Sequence, residues 1–169
     1  MKNSKIAAGI LFIVLTFVYA CTTDENTNAP ETAAQITAVI GVQENGEFHI
    51  NDENALKSKW EQTLRTEGHD VTLERFDFVD VDLDGSGEYN MILMASSIDG
   101  TVKIATAITL GEEINNVRRI MAIGGSVTCT GCTVGCNPKD HAEYGWTCTP
   151  CVTSGTCTKS ETVETISVN

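Results

Sequence analysis

Six of the seven cysteines of this 169-residue chain fall between Cys129 and Cys157, in the stretch SVTCTGCTVGCNPKDHAEYGWTCTPCVTSGTCT. Its large apolar residues are few: Val127, Val134, Tyr144, Trp146 and Val152. Burial alone does not offset the entropy of ordering such a segment. Something must cross-link it, and the chemistry of that link decides what the C-terminal part of the chain can be.

Three chemistries compete. Cys129-x₂-Cys132 and Cys148-x₂-Cys151 have the spacing of a zinc ribbon, but Cys136 and Cys157 then stay unexplained unless His141 or a second site joins. Thiol–disulfide catalysis requires a CxxC at a helix N-terminus, where the dipole lowers the thiol pKa. Thr130-Gly131 and Thr149-Pro150 lie in stretches without helical periodicity. The third chemistry is disulfide bonding, which the compartment favours if the chain is exported. Seven cysteines cannot all pair, whereas six can once Cys21 is set aside. We therefore expect three disulfides among Cys129, Cys132, Cys136, Cys148, Cys151 and Cys157, with all fifteen pairings open.

The N-terminus bears on export. It reads MKNSKIAAGILFIVLTFVYAC: Lys2 and Lys5, then an uncharged run from Ile6 to Ala20. That run is shorter than the ~20 residues a membrane-spanning helix needs, and it has the build of a secretory signal. Val18-Tyr19-Ala20-Cys21 resembles the lipobox of bacterial lipoproteins, with Val and Tyr where Leu and a small residue are usual. The resemblance implies a palmitate-type acylated Cys21 as the first residue of the mature chain. Its partner would be the lipid bilayer of the outer membrane, on the periplasmic or cell-surface face. Each buried acyl CH₂ contributes about 0.8 kcal/mol, so two or three chains hold such a protein firmly. Asp24-Glu25, just after the lipid site, is similar to the surface-export tags of Bacteroidota lipoproteins. The order hairpin, helix, strands and cysteine-rich tail also resembles lipoproteins of that group, a likeness that carries no assigned activity.

The organisation expected is a signal peptide over 1–20, a flexible tether over 21–34, an α+β domain over 35–125, and a disulfide-stapled segment with tail over 126–169. The formal charge is −12, and loss of residues 1–20 removes two lysines more. Such a chain repels phosphate backbones, which excludes nucleic acid as a partner and leaves proteins or glycans as ligands. Aromatics are only 6%, so an aliphatic core is expected.

Within the domain, β-branched residues 35–43 and the short run 47–50 flank Asn45-Gly46, a hairpin signal. NDENALKSKWEQTLRTEG then reads as a helix. Asn51 or Asp52 can cap it, Leu56, Trp60 and Leu64 form one apolar stripe, and Gly68 can end it. Residues 71–79 suggest a strand with a bulge between Leu73 and Phe76. Residues 89–95 suggest another. Residues 102–110 alternate as a half-buried strand, with Lys103, Ala105, Ala107 and Thr109 on the wet side. Residues 117–123 form a last strand, stopped by Gly124-Gly125. The fold class expected is α+β: one helix on an antiparallel sheet of four to six strands, followed by an irregular disulfide-rich segment. The layout resembles the cystatin-like or ferredoxin-like class.

One loop carries candidate metal chemistry. In FVDVDLDGSGEYN, Asp80, Asp82, Asp84 and Glu88 occupy positions 1, 3, 5 and 9 around Gly85, and alternating carboxylates in a tight turn can converge on calcium. The stretch resembles the calcium hairpin of FG-GAP repeats more than an EF-hand, because Met91 stands where an EF-hand has its distal acid. The competing reading is a solvated turn. The expectation is no cofactor, with calcium at this loop as the one candidate outside the cysteine segment. His49, His69 and His141 are scattered, and no nucleophile–base spacing stands out. The expectation is a non-catalytic envelope lipoprotein with a binding or structural role. The alternative is a periplasmic thiol–disulfide or metal-binding protein using the CxxC pairs.

Overall fold

In the computed structural model, residues 37–82, 89–141 and 145–162 are described. The expectations for the signal peptide, Cys21 and the tether lie outside these residues, as do those for Asp84 and Glu88. β1 (Thr37–Glu44) and β2 (Glu47–Ile50) form the hairpin read from the sequence. Asn45 and Gly46 take φ of 51° and 85°, the positive values a tight two-residue turn demands.

The helix α1 (Glu53–Thr66) follows. Asp52 caps it by accepting the Ala55 N–H at 2.8 Å, which satisfies one of the orphan donors of the first turn. His69 N–H returns to the Leu64 carbonyl at 2.8 Å and closes the far end. Leu56, Trp60, Thr63 and Leu64 are buried, each large apolar member stabilising by roughly 1.5–3 kcal/mol on transfer from water.

Four longer strands follow: β3 (Leu73–Asp82), β4 (Tyr89–Ser97), β5 (Val102–Leu110) and β6 (Val117–Thr130). The register of β3 on β4 shifts between Leu73 and Arg75, at the bulge expected from the apolar phase. The tail adds a hairpin, β7 (Pro138–His141) with β8 (Gly145–Cys148), and then β9 (Thr158–Thr162). The main antiparallel sheet runs β2-β1-β6-β5-β4-β3, and β9 joins it on β6.

The class is therefore α+β with one helix among the described residues, as expected, but three readings change. The main sheet has seven strands rather than four to six, because the polar segment TKSET pairs with Ser126–Thr130. Gly124-Gly125 does not stop β6. Opposite Thr106 the register with β5 slips and then resumes, so the glycines form a bulge and the strand runs across residue 125 into the cysteine segment. β5 is not half-buried: Lys103 and Ala105 are buried along with Val102, Ile104 and Ile108.

The reason is a third layer. On one face of the sheet, Ile40, Leu73, Leu93, Ile104 and Ile120 pack with Leu56, Trp60 and Leu64 of the helix. On the other, Ile92, Ala105 and Val127 pack with Cys129, Cys132 and Cys136, with Trp146 and Cys148 against them. The sheet also curls around its helix face. β2 and β3 are its opposite edges, yet the Phe48 and Phe78 rings stack with centroids 4.8 Å apart.

Candidate functional site

The cysteine segment is fully cross-linked. Cys129 pairs with Cys148, Cys132 with Cys151 and Cys136 with Cys157, with Cα–Cα separations of 5.8, 5.9 and 5.4 Å. Each falls in the range a disulfide needs. Neither CxxC closes on itself. The two are bridged first to first and second to second, so residues 129–136 lie alongside 148–157 as a braced double strand. A thioredoxin-type centre requires the two cysteines of one CxxC to pair, and a zinc ribbon requires four thiolates. The disulfides provide neither arrangement.

The brace forces close backbone contact. Gly135 forms a bridge with Cys151 and has φ of +88°. A Cβ there would stand 2.3 Å from the Pro150 carbonyl oxygen. On the sheet side, Lys103 is only 6% exposed. Its Nζ donates to the Gly135 carbonyl at 2.5 Å, tying the central strand to the brace. Burial, followed by the charge of Arg75, holds the Lys103 ammonium below its ordinary pKa. A second tie runs from Asn90 Nδ2 to Asp140 Oδ2 at 3.1 Å, from β4 to β7.

Where the brace meets the β4–β5 turn, a groove of about 460 Å³ opens. Glu74, Arg75, Ser96, Asp99, Lys103 and Thr133 are among its lining residues. Arg75 is opposite Ser96 across β3–β4, and Ser96 is opposite Lys103 across β4–β5. Ser96 is 5% exposed, and its hydroxyl oxygen is buried without a hydrogen-bond partner. Asp99 is committed elsewhere. Its carboxylate accepts from Ser97 Oγ at 2.6 Å, from Thr101 N–H at 3.1 Å and from Thr101 Oγ1 at 2.9 Å. Those bonds, the one from Ser97 first, hold its pKa below the usual carboxylate value.

Of the candidate calcium ligands, Asp80 and Asp82 lie at the end of β3 opposite Met91 and Tyr89. Among the described residues no group of three or more His, Cys, Asp or Glu side chains is placed to hold a metal ion. Sequence reasoning placed all six cysteines but missed the groove, because Lys103 read as a wet position and Ser96 fell outside every motif. The signal that could have found it is the isolated lysine in an otherwise apolar strand, VKIATAITL. Comparison of the chain with family models, curated proteins and solved structures returns no match.

Proposed function

We propose that this chain is an exported lipoprotein, tethered to the outer membrane through acyl chains on Cys21, that presents a disulfide-braced, non-catalytic binding domain at the cell envelope. The observation that supports this most is the pairing of cysteines. Six of the seven are consumed in three disulfides, and the one remaining, Cys21, sits at the edge between apolar and polar sequence. Disulfides persist in oxidising compartments, in keeping with export. The ligand is a protein or a glycan rather than a nucleic acid, given the net charge of −12.

Intact-mass measurement on protein extracted from membranes tests this reading. The expected product starts at Cys21, carries acyl chains there and lacks six hydrogens relative to the reduced chain. Cys21→Ser is expected to leave the membrane fraction. A product with an unmodified Met1 would sink the reading. Two or more free thiols, or zinc released by a chelator, would instead favour thiol–disulfide or metal chemistry.

A further inference from the structure

We infer that the groove between Arg75 and Lys103 binds a single oxyanion group, a carboxylate or sulfate carried by an otherwise neutral or basic ligand. Three observations converge. First, Arg75, Ser96 and Lys103 form one row across β3, β4 and β5, on the face turned to the disulfide brace. Neighbouring strands lie about 4.8 Å apart, so the backbones of the two cationic residues stand two strand spacings from each other with that of Ser96 between them. Second, the buried Lys103 ammonium meets the Gly135 carbonyl and no carboxylate among the described residues. The Arg75 charge disfavours the Lys103 ammonium, and an anion between the two converts that repulsion into attraction. Third, the buried Ser96 hydroxyl has no partner and lines the same groove. Unsatisfied buried donors are rare, and an oxyanion is an acceptor that would satisfy this one.

The rim limits what fits. Arg75 already shares its Nε with Asp77 Oδ2 at 2.8 Å, leaving the rest of its fork for a ligand. Asp99 and Glu74 also border the groove. Asp99 is saturated by its own turn, and Glu74 is exposed. This acidic border admits one small oxyanion and repels a polyanion. The site would give the binding domain proposed above its ligand chemistry, but it does not depend on Cys21 or on membrane attachment.

The test uses the full-length oxidised protein in neutral detergent. Sodium sulfate and sodium acetate are titrated separately at constant ionic strength while amide resonances are followed by NMR. Saturable shifts confined to Arg75, Ser96, Lys103 and Thr133 are expected with at least one of the two anions, and the one that saturates at lower concentration identifies the group recognised. Arg75→Gln, at an exposed position that should not disturb folding, should weaken binding at least five-fold. Lys103→Met should abolish it, and Glu74→Gln should tighten it. Binding should also weaken as pH rises and Lys103 loses its proton. Shifts that grow linearly without saturation in both titrations, or equal affinity in Arg75→Gln, would overturn the inference. Because none of these readouts involves Cys21, failure here leaves the lipoprotein reading standing, and the reverse also holds.

Discussion

Phe48 on β2 and Phe78 on β3 stack with ring centroids 4.8 Å apart and an interplanar angle of 25°, although their strands are the two opposite edges of the sheet. The contact closes the concave face over α1. Phe78→Ala should cost about 2 kcal/mol, below the 3–5 kcal/mol of a fully buried phenylalanine because both rings are only half-buried. Phe78→Leu should recover most of that and lose only the stacking term of about 0.5–1.5 kcal/mol. Urea denaturation of the oxidised protein measures both. A Phe78→Leu variant as stable as the wild type would show that the rings do not act as a pair.

Trp60 is the centre of the helix-side core, and its ring stacks on Phe76 at 5.7 Å. Its indole N–H is buried without a partner. Trp60→Phe removes that unsatisfied donor and keeps a ring, so the loss should stay under about 1.5 kcal/mol. Trp60→Ala should cost about 3–5 kcal/mol. A Trp60→Phe variant as unstable as Trp60→Ala, by the same urea assay, would mean that the N–H has a partner in solution.

The three disulfides should not contribute additively. Cys129–Cys148 and Cys132–Cys151 each separate residues 19 apart, and Cys136–Cys157 residues 21 apart. A loop of that size, closed alone, corresponds to about 3 kcal/mol in the chain-entropy model. Once one bridge is present, however, the next closes only a short ring. Replacing Cys132 and Cys151 together by Ala should therefore cost about 1–2 kcal/mol, and losing all three bridges should unfold the tail. Thermal melts of the double and sextuple variants check this. A loss of the full ~3 kcal/mol for one pair would contradict the ladder argument.

Gly135→Ala should be more damaging than its size suggests. The added Cβ meets Pro150 O at 2.3 Å and Val152 N at 2.9 Å, both backbone atoms that cannot swing away. Strain of this kind costs on the order of 1–3 kcal/mol even before the bridge to Cys151 is lost. Oxidative refolding followed by disulfide mapping should show a lower yield and scrambled pairings. A native disulfide map at full yield would show that the close approach is dispensable.

Lys103 makes stability depend on alkaline pH. Its folded pKa lies below the ordinary 10.5, so between the two values the unfolded chain binds more protons than the native one. Stability then rises with pH through that window, and the burial penalty is present in full below the folded pKa. In Lys103→Met the rise should vanish. The difference between variant and wild type should therefore be constant below the folded pKa of Lys103 and change between that pKa and 10.5 in a urea series, and a difference constant up to 10.5 would contradict the assignment.

Short-range signals were enough for much of this architecture. The Asn45-Gly46 turn, the Asp52 cap with its Leu56–Trp60–Leu64 stripe, the bulge after Leu73 and the need for cross-links in the tail are all set by residues within a few positions of one another. The rest was decided by contacts between distant segments. Nothing local tells that Ser160 and Thr162 will donate to the Glu67 carboxylate at the end of α1, or that TKSET will extend the sheet along β6. The same holds for the choice of one cysteine pairing among fifteen. Lys103 shows the difference most clearly. Strand alternation predicts its side of the sheet correctly, but whether that side meets water depends on a cover supplied by the disulfide brace. A period of two residues says which face a side chain takes, and only the packed chain determines what lies against that face.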